Sequence, residues 1–123
     1  KSQDPSIVTI GSDLGVRPIP ERIGYCPSKA GVIMLTKCIA LEYAPKVRVN
    51  CVLPGLVRTP MTEQRFQEAG DPAALEEEYA SLYPLHKMGK VSDMANAVRF
   101  LSCSEDSGFI TGEIMNVCGG SLI

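Results

Sequence analysis

The chain has 123 residues, of which 45% are hydrophobic and 21% charged, and its formal net charge at pH 7 is −2. This composition is typical of a globular protein with a single hydrophobic core, and it excludes a disordered or collagen-like chain. The sequence has no apolar run long enough to cross a bilayer and no basic stripe for a phosphate backbone, so neither membrane insertion nor nucleic-acid binding is expected.

The cysteines and the histidine indicate a compartment and argue against a metal site. The five cysteines are an odd number without a Cys-x-x-Cys pair, which favours a reducing, cytoplasmic location. His86 is the only histidine, and no cysteine stands beside it at the spacing of metal ligands, so we expect no metal. Residues 1–5 contain no Met and no signal segment, and we expect the sequence to start in the middle of a longer protein.

The first predicted elements are a strand, a loop and a long helix. Residues 6–10 form a β-branched run that ends at a glycine, as a buried parallel strand does. The glycines and prolines of residues 11–24 predict a loop. Residues 25 to about 44 predict a helix that is apolar on nearly all sides. One side of this helix would cover the sheet, and the other side calls for a second cover, most simply a partner subunit.

The middle of the chain predicts a second strand and two short helices. Residues 47–53 have the composition of a strand, which Pro54 and Gly55 close. Thr59 and Asp71 each precede a proline, as an N-cap precedes proline at the first helical position. The second of these helices is expected to end at a proline, and its apolar residues recur at helical spacing: Leu75, Tyr79 and Leu82.

The last predicted elements are a helix and a strand. Ser92 is expected to cap a helix whose apolar side is formed by positions at i, i+3, i+4 and i+7, namely Met94, Ala97, Val98 and Leu101. Residues 113–118 predict a third strand, closed by two glycines. Strands that alternate with helices in this order indicate an α/β fold with a parallel sheet and right-handed crossovers.

Three polar residues form a candidate site for proton transfer. Tyr25 and Lys29 lie four residues apart at the start of the long helix, and therefore on one face. A tyrosine has a pKa of about 10 in water, and a nearby cation favours the phenolate, so such a tyrosine can act as a general acid or base. Ser12 follows the first strand, where open α/β sheets meet their ligands. A chance Tyr-x-x-x-Lys pair and an ordinary turn serine are the alternatives.

Four segments together resemble the short-chain dehydrogenase/reductase family in their order and spacing. Residues 7–12 resemble the strand that carries the active-site serine of the family, and residues 25–29 resemble its Tyr-x-x-x-Lys helix. Residues 48–59 are similar to its nicotinamide-side loop, and residues 109–120 to its closing strand. The glycine-rich phosphate loop and the upstream asparagine of the family are not in this sequence. The resemblance therefore implies the C-terminal half of a Rossmann-like doubly wound parallel sheet.

The resemblance also implies a function. It implies an oxidoreductase that uses NAD or NADP and transfers a hydride between the nicotinamide and a small-molecule carbonyl or secondary alcohol. Tyr25 would be the general acid/base and Ser12 would orient the substrate oxygen, while Lys29 would lower the pKa of the tyrosine and bind the ribose. Tyr25 and Lys29 would thus also contact the cofactor, and the nicotinamide would be bordered by Pro54, Gly55, Val57 and Thr59.

The remaining expectations concern the whole chain. Residues 1–123 would form one partial domain, in which residues 60–85 are either a substrate lid or a structural helical hairpin. A moderately apolar substrate is suggested by Leu14, Ile19, Met61, Leu75 and Leu82. The complete enzyme would be a homodimer or homotetramer. The isolated chain, without the N-terminal half of the cofactor site, is expected to be inactive, and a truncated, non-catalytic interaction remnant is the alternative function.

Overall fold

A parallel sheet lies at the centre of the computed structural model, which describes residues 4–123. In chain order the strands are β1 (Ser6–Ile10), β2 (Arg48–Pro54), β3 (Val57–Arg58), β4 (Gly89–Lys90) and β5 (Ile114–Val117). The helices are α1 (Tyr25–Tyr43), α2 (Pro60–Glu68), α3 (Pro72–Ser81), α4 (Val91–Ser102) and α5 (Ser104–Ser107), and a short 3-10 helix covers Asp13–Gly15. The predicted α/β class with a parallel sheet is confirmed.

The central sheet has the strand order β1, β2, β5, with every pair parallel. Ser6 pairs with Arg48 at the start of β1, and Pro54 pairs with Val117 at the end of β2. Because β2 has a neighbour on both sides and helices over it, its residues from Arg48 to Leu53 are all buried. The carboxyl ends of all three strands therefore meet at one edge of the sheet.

Helix α1 packs on this sheet along one side only. Its buried residues include Thr36, whose hydroxyl lies 2.7 Å from that of Thr9 on β1. On its other side, large apolar residues are exposed, among them Leu41, which is 84% exposed, and Met34. The apolar side predicted to need a second cover therefore has none within residues 4–123. None of the helices in this part of the chain is both long enough and apolar enough to cross a membrane.

The two predicted N-caps in the middle of the chain are confirmed. The Thr59 hydroxyl accepts the Thr62 N–H at 3.3 Å, and the Thr59 N–H donates to the Thr62 hydroxyl at 2.8 Å, so the two residues form a reciprocal cap at α2. The Asp71 carboxylate accepts the Ala74 N–H at 3.1 Å and begins α3. The two helices pack through the rings of Phe66 and Tyr79, whose centroids lie 5.9 Å apart.

One predicted cap is wrong, and two short elements of the structure were not predicted. Ser92 does not cap α4; the helix begins at Val91, and the carboxylate of Asp93 accepts the Lys90 N–H at 2.8 Å. A carboxylate in the first turn satisfies an unpaired N–H and fits the positive end of the helix dipole, which a serine inside the turn does less well. The short β3–β4 pair and α5 were not predicted, because elements of two to four residues have no readable periodicity.

Two side chains of β2 connect the sheet to the last part of the chain. Arg48 is buried, and its Nη1 donates to the carbonyl oxygens of Leu101, Ser107 and Ile110 at 3.0 to 3.2 Å. The amide of Asn50 donates to the Ile110 carbonyl at 3.1 Å and accepts the Glu113 N–H at 3.0 Å through its Oδ1. These bonds fix residues 101–113 against β2, and they set where β5 begins.

Candidate active site

Ser12 lies at the end of β1, in a turn held against the neighbouring strand. The N–H of Gly11 donates to the Val52 carbonyl at 2.9 Å, which keeps the end of β1 beside β2. Ser12 is only 6% exposed, and its Oγ accepts the Leu14 N–H at 3.1 Å. The same hydroxyl donates to Asp13 Oδ1 at 3.3 Å. The serine therefore caps the 3-10 turn while its Oγ stays at the edge of the sheet.

Tyr25 and Lys29 lie together at the start of α1. The Nζ of Lys29 is 5.7 Å from the centroid of the Tyr25 ring, within the range of a cation–π interaction. The same ammonium donates to the Ile10 carbonyl at 3.3 Å, at the end of β1. Tyr25 is 43% exposed. Lys29 thus connects the tyrosine to the strand that leads to Ser12.

Gly15 permits the Ser12 turn to lie directly on α1. A Cβ at this position would be 2.8 Å from the carbonyl carbon of Lys29 and 2.9 Å from the Ala30 nitrogen, which is closer than side chains approach a backbone. The turn therefore rests on the helix at the residue that carries the candidate ammonium. As a result, the structure brings Ser12, Tyr25 and Lys29 to one edge of the sheet.

Of the four predicted nicotinamide-side residues, Pro54 is the last residue of β2 and the other three follow it at the carboxyl end of the strand. Gly55 is closely packed, since a Cβ there would lie 3.1 Å from the Cα of Cys118. The Val57 carbonyl accepts the Thr62 hydroxyl at 3.2 Å. The Thr59 hydroxyl is already bonded in the cap of α2. Pro54 ends β2 opposite Val117, so all four residues occupy the same edge as Ser12.

Two residues at this edge were not singled out by the sequence. Asp13 is only 4% exposed, and its Oδ2 accepts the hydroxyl of Ser121 at 2.7 Å. Tyr83 is 8% exposed, and its phenol oxygen accepts the Leu56 N–H at 2.7 Å. The bond of Asp13 spans 108 residues, so no local pattern could have found it. Tyr83 stands four residues after Tyr79, at helical spacing, but Pro84 directly after it predicts the end of the helix.

Two cavities lie near this edge. A cavity of about 450 Å³ is bordered by the ends of β2 and β5 and by α4, and its lining contains Gly55 and Leu56 but none of the three proton-transfer candidates. A smaller cavity of about 230 Å³ lies between the Ser12 turn and α1. Leu14 lines the smaller one, whereas the other apolar residues expected near a substrate line neither: Ile19, Met61, Leu75 and Leu82. No group of three metal-binding side chains was found among residues 4–123.

Known proteins match this chain along nearly its whole length, including all the residues of the candidate site. The family described as Enoyl-(Acyl carrier protein) reductase matches residues 1–121. The chain is 38% identical over 124 residues to 3-oxoacyl-[acyl-carrier-protein] reductase FabG of Thermotoga maritima, a match that covers 100% of this chain and 48% of that protein. The chain spans about half the length of the curated relatives that it matches.

Solved structures also superpose on nearly all of this chain with about half of their own length. A short chain dehydrogenase family protein from Francisella tularensis superposes with a TM-score of 0.86 at 30% identity, over 94% of this chain and 50% of that one. The structure of ElxO with NADP bound superposes with a TM-score of 0.85 at 35% identity, over 95% of this chain and 46% of that one. The fold at this edge of the sheet is therefore shared with known oxidoreductases.

Proposed function

Since this chain belongs to the short-chain dehydrogenase/reductase family, we propose that it carries the proton-transfer residues and the nicotinamide-side loop of an NAD(P)-dependent oxidoreductase. The substrate would be a small-molecule carbonyl compound or secondary alcohol. One observation carries the proposal: the Lys29 ammonium lies 5.7 Å from the Tyr25 ring and bonds to the end of the strand that leads to Ser12. A tyrosine, a cation and a hydroxyl at one edge can together donate a proton to a carbonyl oxygen and stabilise the charge that results.

In the reductive direction, Tyr25 would give its phenolic proton to the substrate oxygen. The nicotinamide, when bound, would supply the hydride to the carbonyl carbon, so the product is an alcohol. Ser12 would keep the Leu14 N–H as its donor and turn its own hydrogen from Asp13 to the substrate oxygen. The positive charge of Lys29 would stabilise the negative charge that Tyr25 acquires. In the oxidative direction, the phenolate would take the proton from the alcohol.

The backbone after β2 would hold the carboxamide of the nicotinamide. The Leu56 carbonyl accepts the Gly89 N–H at 3.0 Å, so it points toward β4. A trans peptide directs its carbonyl and its N–H to opposite sides, and the Val57 N–H therefore faces away from β4. This N–H would donate to the carboxamide oxygen. Thr59 would contribute its backbone, because its hydroxyl is held in the cap of α2.

Residues 60–85 would form a lid over the substrate. Arg58, at the base of this segment, forms ion pairs with Glu63 at 2.9 Å and Glu76 at 3.0 Å, so it connects α2 to α3. The hydrogen bond from Arg58 lowers the pKa of the Glu63 carboxyl, so both groups are charged near neutral pH. Because the Phe66 and Tyr79 rings also join the two helices, we expect the pair to move as one unit.

Replacement of Tyr25 by Phe in the complete protein tests the assignment of the proton donor. We expect Tyr25→Phe to lower kcat by about 100- to 10,000-fold, because it removes the transferable proton. The dissociation constant for NADH or NADPH should change little. Tyr43→Phe is the matched control, since this exposed tyrosine lies at the other end of α1. Turnover that survives in Tyr25→Phe would exclude Tyr25 as the donor, and a wild-type protein that binds neither dinucleotide would overturn the proposed function.

A further inference from the structure

Tyr83 connects the end of the proposed lid to the nicotinamide-side loop. It follows α3 by two residues, and its side chain is buried between two turns. A Cβ on Gly55 would be 3.0 Å from the Tyr83 Cε1, and a Cβ on Gly119 would be 3.3 Å from the Tyr83 Cβ. The tyrosine therefore lies against the backbone of the turns that follow β2 and β5.

The phenol oxygen of Tyr83 holds one peptide group of the loop, and β4 holds the next. The Leu56 N–H, which belongs to the peptide between Gly55 and Leu56, donates to Tyr83 Oη at 2.7 Å. The carbonyl of Leu56, which belongs to the following peptide, accepts the Gly89 N–H at 3.0 Å. Two consecutive peptide planes determine both backbone dihedrals of the residue between them. Tyr83 and Gly89 together therefore fix Leu56.

The environment of Tyr83 keeps its phenol neutral. Burial raises the pKa of Tyr83, and this effect outweighs the hydrogen bond from the Leu56 N–H, which acts in the opposite direction. A neutral phenol oxygen accepts the Leu56 N–H as a hydroxyl does.

We propose that Tyr83 is a positioning residue, whose phenol oxygen holds the Leu56 N–H and, together with the Gly89 N–H on the Leu56 carbonyl, sets the direction of the Val57 N–H toward the nicotinamide carboxamide. Tyr83 itself touches neither the substrate nor the cofactor in this proposal. The inference rests on the proposed function for its effect on cofactor binding. Its structural part, the bond between Tyr83 and Leu56, is independent of any cofactor.

Amide hydrogen exchange tests the structural part. In the complete protein without dinucleotide, Tyr83→Phe should speed the exchange of the Leu56 N–H by about tenfold or more, because this partly buried amide loses its acceptor. Tyr79→Phe is the matched control, since its ring packs on Phe66 in the same segment. If Tyr83→Phe does not fold, 3-fluorotyrosine at position 83 weakens the acceptor with little change of shape, and it should speed the same amide. Unchanged exchange at Leu56 in a folded variant would overturn the proposal.

Dinucleotide binding tests the functional part. Titration of the complete protein with NADH and NADPH should show a dissociation constant about fivefold higher in Tyr83→Phe for the dinucleotide that the wild type binds, as expected from one neutral hydrogen bond. The KM of Tyr83→Phe for the carbonyl substrate should stay unchanged. The dissociation constant of Tyr79→Phe for the dinucleotide should equal that of the wild type. Equal dinucleotide affinity in Tyr83→Phe and wild type would overturn the positioning role alone. A wild type that binds neither dinucleotide would overturn the proposed function and the positioning role that rests on it, while the exchange result would still report on the Tyr83–Leu56 bond.

Discussion

The Ser12 hydroxyl has a structural role besides its proposed role as a donor to the substrate oxygen, because it caps the turn that follows β1. Its Oγ accepts the Leu14 N–H and donates to Asp13, whose other carboxylate oxygen binds Ser121. The Asp13 carboxylate thus bonds to two serines, of which only one is a candidate for catalysis. This arrangement allows the catalytic part of the Ser12 role to be separated from its structural part.

Replacement of Ser12 by Ala should lower kcat by about a hundredfold, because one hydrogen-bond donor to the substrate oxygen is lost. Loss of the cap should also lower the free energy of unfolding by about 1 kcal/mol. Ser121→Ala, which removes a hydroxyl from the same carboxylate but none from the proposed substrate site, should leave kcat within about threefold of wild type. Steady-state kinetics and urea denaturation measure the two effects. Equal losses of kcat in the two variants would contradict the assignment of Ser12.

At the scale of elements, periodicity and capping predicted most of the fold. The strands β1, β2 and β5 and the helices α1 to α4 were predicted with shifts of a few residues at their ends, because each has a readable pattern of apolar residues or a proline cap. The pairing of β3 with β4 was not predicted, since it joins two short segments that are distant in sequence. The contacts of Asp13 and Tyr83 were missed for the same reason: they depend on which turns the fold brings together.

The contact between the Ser12 turn and α1 gives a prediction from two glycines. Gly15→Ala should lower the free energy of unfolding by about 1 to 3 kcal/mol, because its Cβ would meet the backbone of Lys29 and Ala30. Gly31→Ala, inside α1 with no atom from the rest of the fold within 4 Å of the added Cβ, should raise it by about 0.5 to 1 kcal/mol. Urea denaturation of both variants measures the difference. A Gly15→Ala variant as stable as wild type would show that the turn does not rest on the helix.

At the scale of the whole molecule, two apolar surfaces of the described residues are exposed: the edge strand β1 and one side of α1. Within residues 4–123, β1 is an edge strand of the central sheet, and Ile7 and Ile10 on it are exposed. The apolar side of α1, which includes Met34 and Leu41, is exposed as well. Unpaired strand edges and large apolar patches favour association with other chains. A homodimer or homotetramer of the complete protein remains a prediction.

Because of these exposed surfaces, the isolated 123-residue polypeptide should associate with itself. Because the glycine-rich phosphate loop of the cofactor site is not in this sequence, the isolated polypeptide should show no oxidation of NADH or NADPH in the presence of carbonyl compounds. Light scattering after gel filtration measures the first property, and absorbance at the nicotinamide band measures the second. The complete protein under the same conditions is the control. An isolated polypeptide that is monomeric and active would contradict both expectations. An associated but inactive polypeptide next to an inactive complete protein would favour the interaction remnant.

The hydrogen bond between Asp13 and Ser121 also links the Ser12 turn to a distant part of the sequence. Ser121 lies after β5, 108 residues from Asp13, and the Asp13 carboxylate also accepts the Ser12 hydroxyl. A substitution in the turn after β5 therefore changes the surroundings of Ser12 through this single carboxylate, although the two turns are at opposite ends of the described residues.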